Sequence, residues 1–394
     1  MATTALQAPG RWASALAAVL SLGLVFAAWQ LGGADSDSQA LNLSLLGGAL
    51  FGLLLQRSRF CFFCVTRDFI EQRTPDGLLG IIAALAVGTL GYHLVFGAFV
   101  PDPSGGRLPP DAHVGPLSWV LGLSATVFGI GMALSGSCIS AHLYRLGEGA
   151  FASLFALCGA LIGFFLGFLC WNPLYLLSIQ QAPVLWLPAW QGYGVSFLLQ
   201  IALLGGLAYW LLLHVQASDA PRMVARNLRQ LLFGQRWPTW VGGVLIGFLA
   251  PLSYLRVGPL GVTAELGSVA RTAANGLGWL PERLEGLDSF SGCATAVKEA
   301  LLSNNGLFIL GLVVASWTSA LLAGDFQPKR PHVSELLRNL LGGILLGLGS
   351  MLALGCTVGT LLSGIMAGAL SGWVFALFCL LGVLLGLRLR RYWP

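Results

Sequence analysis

The chain has 394 residues, 56% of them hydrophobic and only 9% charged, with a mean hydropathy of +0.79. A soluble domain carries about a quarter charged residues, so this composition excludes a soluble globular protein and predicts an all-α integral membrane protein, one polytopic domain over 1–394. The formal charge of +5 sits mostly in short loops, where it orients a membrane protein, and it forms no basic footprint for nucleic acid.

A helical crossing needs about 20 apolar residues. Along the chain the runs Trp12–Leu31, Leu78–Val100, Leu117–Leu134, Ala150–Cys170, Val195–Val215, Val241–Ala250, Leu307–Leu322, Leu336–Leu354 and Trp373–Leu387 approach that length, which predicts about nine transmembrane helices. Several are short or broken by glycine. The 53 glycines suit close helix packing and short broken or re-entrant helices. The first run lacks an A-x-A cleavage site, so 10–32 is expected to be a retained, extra N-terminal span.

Loop charge sets orientation. Residues 217–237 hold Arg222, Arg226, Arg229 and Arg236 against Asp219 alone. Residues 324–338 hold Lys329, Arg330 and Arg338, and the tail holds Arg388, Arg390 and Arg391. All three segments are expected in the cytoplasm. The uncharged stretch 172–193, with its tryptophans, is expected outside.

The sequence also repeats itself. In SWVLGLSATVFGIGMALSGSCIS (Ser118–Ser140), Gly129, Gly131, Leu134 and Cys138 align without a gap on Gly347, Gly349, Leu352 and Cys356 of NLLGGILLGLGSMLALGCTVG (Asn339–Gly359). GGALFG (Gly47–Gly52) aligns with GGVLIG (Gly242–Gly247), and the two matches keep the same order. Two pseudo-symmetric repeats, 41–216 and 238–391, are therefore expected, joined by the basic linker 217–237. Inversion of the second copy depends on span parity and is common in transporters. The counterpart of Arg57–Cys64 is LRVGPLGV (Leu255–Val262), which has no cysteine, so the halves are chemically unequal.

The cysteines separate into classes. Cys158, Cys170 and Cys379 sit in plain apolar runs and read as small buried hydrophobes. Cys138 and Cys356 follow small residues (SGSC, LGC) at the end of an apolar run, with Gly136 and Gly355 just before them, and each precedes a polar, small-residue start. That is the pattern of a helix broken inside the membrane, and such backbone is tolerated only where it is buried or lines a cavity. The second half-helix then aims free N–H groups at the cavity, which suits an anion. Cys61, in RSRFCFFCVTRDF (Arg57–Phe69), lies between Arg59 and Arg67. Cys293, in SFSGCATAVKE with Lys298 one turn on, is a candidate for gating. Arg59, Arg67 and Lys298 are further site candidates, because a charge inside an apolar region defaults to function. For Arg67–Asp68 and Arg145–Glu148, placement in interfacial loops or mutual pairing is the expected role.

Cys61 and Cys64 form a C-x-x-C, so a membrane thiol–disulfide oxidoreductase is one alternative. Cys138 and Cys356 stand alone, however, which favours single thiols along a path. A neutral S–H is a weak donor that can pass a sulfur-containing anion onward and release it. Five scattered histidines show no metal-ligand spacing, and no G-x-x-x-x-G-K-[ST] loop or nucleophile–base set is present. No cofactor is expected, and a transporter rather than an enzyme is predicted.

QRSRFCFFCVTRDF (56–69), GIGMALSGSCISAHLYRLGEG (129–149), GVTAELGSVAR (261–271), GLDSFSGCATAVKE (286–299) and GLGSMLALGCTVGTLLSGI (347–365) resemble the YeeE/YedE family of sulfur-compound transporters. The resemblance covers about 43–388. It implies an hourglass-like helical protein with an inverted repeat in the bacterial inner membrane, taking up thiosulfate. It also implies that Cys61, Cys138 and Cys356 line the central path and relay the anion by S–H hydrogen bonds. Members often work with a small cytoplasmic sulfur-carrier protein of the TusA type, and some are associated with selenium, so a selenium compound or another sulfur oxyanion is the alternative substrate. Cys64 and the span before residue 32 depart from the minimal family pattern.

Overall fold

The computed structural model describes residues 10–33, 35–213, 230–281, 283–287, 290, 295–298 and 302–391. Among them are fourteen helices: α1 (Arg11–Gln30), α2 (Ser36–Ser58), α3 (Phe62–Gln72), α4 (Asp76–Phe99), α5 (Trp119–Ser135), α6 (Ile139–Gly147), α7 (Ala152–Leu174), α8 (Leu187–Leu213), α9 (Thr239–Arg256), α10 (Thr263–Gly276), α11 (Asn304–Ala323), α12 (Val333–Leu352), α13 (Thr357–Met366) and α14 (Leu370–Arg390). Ten of the described segments are long and apolar enough to cross a membrane. Nine correspond to the runs above. The tenth, Ser36–Gln72, is diluted by Asp37, Ser38, Gln39, Asn42 and Ser44 at its start and by Gln56–Arg59 near its middle. Asp35 caps α2, its side chain accepting from Ser38 N–H at 3.0 Å.

Contacts between connecting segments sort them to two ends. At one end Trp12 stacks edge-on to Phe326, Arg57 and Arg236 reach Asp325 at 3.4 and 3.2 Å, and Gln327 N–H donates to the Glu148 carbonyl at 3.0 Å. This end collects Arg236, Asp325, Lys329, Arg330 and the α14 C-terminus, and is called the basic end below. At the far end Leu117 N–H donates to Pro183 O at 2.9 Å, Tyr193 Oη to Val100 O at 2.7 Å, and Trp171 Nε1 to Glu285 O at 2.9 Å. Helix α2 therefore runs toward the basic end and α9 away from it, and α5 and α12 are likewise opposed.

The main packing partners are α2 with α11, α4 with α9, α5 with α14, and α7 with α12, with α5 also crossing α12. Glycine permits these approaches: a Cβ on Gly243 would run into the Gly80 carbonyl oxygen, and one on Gly347 into that of Ala160. Helix α1 touches mainly α11, through Ala13 and Ala17 against Leu321, and leaves Leu22, Phe26 and Trp29 exposed. Cys379 is buried as expected, but Cys158 and Cys170 lie exposed on α7. An apolar run in a membrane carries no signal for which face meets lipid and which meets protein.

Candidate functional site

Three helix pairs break in the same way. Helix α2 ends in Arg59 at φ 49°, one residue follows, and Cys61 is the N-cap of α3. Helix α5 ends in Gly136 at φ 82°, Ser137 follows, and Cys138 is the N-cap of α6. Past α12, Leu354 takes φ 54°, Gly355 follows, and Cys356 is the N-cap of α13, whose first turns are π-helical. In each break a left-handed residue two positions before the cysteine reverses the chain, and the thiol is delivered to the N-terminus of the next half-helix. A left-handed arginine or leucine carries a backbone cost that glycine does not, of about 1 kcal/mol or more, and such residues concentrate at functional sites.

The three thiols are buried, with exposures of 0, 0 and 1%. Cys61 Sγ lies 4.0 Å from Cys138 Sγ and accepts from Cys64 N–H at 3.4 Å. Cys138 Sγ is 3.3 Å from Ser140 Oγ and also faces the Ala141 N–H and the Thr357 hydroxyl. Cys356 Sγ faces the N–H groups of Val358 and Gly359 and the Thr263 hydroxyl, so α10 contributes to the same point. Soft sulfur, hydroxyls and free backbone N–H groups converge here. That set favours an anion with a polarisable end.

A cavity lies beyond each end of the row. Toward the basic end lies a cavity of about 350 Å³ whose lining includes Arg59, Cys64, Arg67, Tyr144, Arg145 and Glu148. Arg145 donates to Gly136 O at 3.3 Å and to Ser137 Oγ, holding the α5–α6 break from inside. Burial pushes the Glu148 carboxyl up, against the pull of Arg59. Toward the far end lies a narrow cavity lined by His113, Ser118, Leu354, Thr360 and Ser371 among others. Along the row from the far end the order is Cys356, Cys138, Cys61, the reverse of chain order.

The other sequence candidates divide. Gly136 and Gly355 sit in the breaks, and Arg59 lines the basic-end cavity. Arg67 lines it too but is paired with Asp68 at 2.7 Å. Lys298 is tied by an ion pair to Glu265 on α10. Cys293 lies outside the described residues. Sequence reasoning missed Arg145 as a brace, Thr263, Thr357 and Thr360. For Thr357 and Thr360 the legible signal was the polar start TVGT just after Cys356.

A family model described as sulphur transport matches residues 57–385, from the last turn of α2 through all three breaks to the last turns of α14. The chain belongs to the sulphur-transport family. Helix α1 lies wholly before the match. Two relatives named thiosulfate transporter TsuA align over 86% of this chain: that of Escherichia coli K12 at 26% identity, covering 91% of the relative, and that of Spirochaeta thermophila at 29%, covering 95%. A Salmonella typhimurium protein named probable transporter YedE is 32% identical over 28% of this chain and 25% of its own length. Family and fold together make this a multi-pass membrane protein for sulfur-compound transport.

Proposed function

We propose that this protein takes up thiosulfate across the bacterial inner membrane, passing the anion along the row Cys356, Cys138, Cys61 by S–H hydrogen bonds. The observation that carries the reading is the threefold recurrence of one device, a left-handed residue followed by a buried N-cap cysteine, aligned between two cavities. The relatives' names point to the same substrate. The basic end is cytoplasmic by the positive-inside rule, so the anion enters at Cys356 and leaves through the arginine-lined cavity. Each thiol offers a weak donor to the terminal sulfur of the anion, and half-helix N–H groups offset its charge. Weak, repeated contacts allow release. Inward movement of a dianion opposes a negative-inside potential at about 2.3 kcal/mol per charge per 100 mV. Consumption in the cytoplasm offsets this, and a TusA-like sulfur carrier docking at the basic end would supply it. The opposed directions of α2 and α9, and of α5 and α12, support two inverted repeats meeting at the thiol row.

The test is uptake of labelled thiosulfate in cells lacking their own sulfate and thiosulfate transporters. Cys61→Ala, Cys138→Ala and Cys356→Ala are each expected to reduce uptake at least about tenfold at equal expression, while Cys64→Ala retains it. Loss in Cys61→Ala and Cys64→Ala alone would overturn the relay in favour of a redox pair.

A further inference from the structure

Four helical threonines spend their hydroxyls on the backbone. Thr66, Thr126, Thr272 and Thr318 each donate to the carbonyl four residues back, at 2.7, 2.9, 2.7 and 2.9 Å. Thr360 does not. Its own N–H takes the Cys356 carbonyl at 2.8 Å, and that carbonyl also accepts Leu361 N–H at 3.2 Å, the crowded register of the π-helical turn. The side chain is 5% exposed, and Oγ1 has no hydrogen-bond partner. A buried hydroxyl without a partner costs about 1–3 kcal/mol, so its persistence calls for a ligand. π-Helical turns recur at functional sites for this kind of reason.

Thr360 lines the far-end cavity, one turn beyond Cys356. Two other small hydroxyls there each accept a backbone N–H: Ser371 Oγ from Gly115 at 3.2 Å, and Ser118 Oγ from Leu121 at 3.3 Å as the cap of α5. The space accepts the centre of a water-sized group over about 20 Å³, room for one or two oxygens. Gly355 is what lets Thr360 sit so close, since a Cβ there would collide with Oγ1.

We propose that Thr360 is a specificity-determining residue, whose hydroxyl donates to a sulfonate-type oxygen of the incoming anion while Cys356 meets its terminal sulfur. The inference rests on the thiosulfate reading above and adds recognition of the hard end of the molecule to that of the soft end. It separates oxygen-bearing sulfur anions from hydrosulfide, which thiols alone do not do.

The experiment compares Thr360→Val and Thr360→Ser with wild type for the half-saturation concentration of thiosulfate uptake, inhibition of uptake by hydrosulfide, and the unfolding midpoint of the purified protein. Thr360→Val is expected to raise the half-saturation concentration about tenfold or more, the range for a hydrogen bond to a charged partner. It should leave hydrosulfide inhibition unchanged and the midpoint equal or higher, because an unpaired buried hydroxyl has been removed. Thr360→Ser should stay within about twofold of wild type. A Thr360→Val protein with wild-type half-saturation, or with a lowered midpoint and proportionate loss for both ions, overturns the inference while leaving the thiol relay in place. A wild type that takes up no thiosulfate overturns both.

Discussion

The α2–α3 and α9–α10 breaks occupy opposite ends of the molecule and share a design: a long helix, a short irregular link, then a second helix. Their chemistry differs. At the basic end the link holds Arg59 and delivers Cys61, and the last turn of α2 buries Arg57, 1% exposed, against Asp325 and the carbonyls of Phe233 and Gln235. At the far end Val262, fully buried, takes the N-cap position of α10 that Cys61 takes at α3, and α9 is held by neutral bonds, Tyr254 Oη to Pro110 O and Ser253 Oγ to Gly258 O. One backbone device has been used once to carry a thiol and once only to turn the chain. The far-end break keeps a second use, because α10 begins with Thr263, whose hydroxyl faces Cys356.

The contrast between ionic and neutral fastening predicts a graded set of effects. Asp325→Ala removes the only carboxylate partner that the buried Arg57 has among the described residues, and also the partner of Arg236 and one of two acceptors of Gln56 Nε2. Removing one partner of a buried pair costs about 3–5 kcal/mol, so the purified protein should lose most of its folded fraction in denaturant titration. Asp325→Asn should recover part of it.

His113 comes next. Burial pushes its pKa down to about 4, while in the unfolded chain it titrates near 6.5. The unfolded state therefore binds the proton more tightly. The stabilising contribution is complete above pH 6.5 and is lost as pH falls from there toward 4. Its full size is about 3 kcal/mol. The unfolding midpoint should drop across that window, and His113→Gln should flatten the slope. Tyr254→Phe removes a single neutral hydrogen bond, with an expected cost of about 1 kcal/mol, well below that of Asp325→Ala in the same titration. Val262→Cys, finally, should change neither stability nor uptake measurably, and should not rescue Cys61→Ala, because its thiol would lie at the far-end break rather than beside Cys138. Rescue would show that the two breaks are interchangeable.

Much of the fold was legible because the membrane imposes it. Long apolar runs must form helices when no water satisfies the backbone, so nine spans stand out from composition. Ser36–Gln72 escaped because its polar start and its central Gln56–Arg59 interrupt the apolar window. Those residues are satisfied by other elements: Gln56 by Glu148, Asp325 and Ser319, and Arg57 by Asp325 and the link before α9. The breaks at Cys138 and Cys356 were legible from small residues followed by polar ones. Arg59 was marked as an intramembrane charge, but nothing local announces that an arginine will take a left-handed conformation.

What the sequence determined by itself was the class of molecule, the helix breaks before Cys138 and Cys356, and the cysteines that follow those two breaks, since these depend on hydropathy and local backbone preference. What the tertiary structure decided was which sulfurs meet. Cys61 and Cys138 are 77 positions apart in the chain and 4.0 Å apart in space, while Thr357 from the other half of the molecule faces the same thiol. Lys298 was drawn off into a salt bridge, and Thr360 was left with an unspent hydroxyl. Such outcomes depend on the crossing of α5 with α12 and on the register of a π-helical turn. The crossing is set by close glycine contacts between helices distant in sequence, which no local pattern encodes.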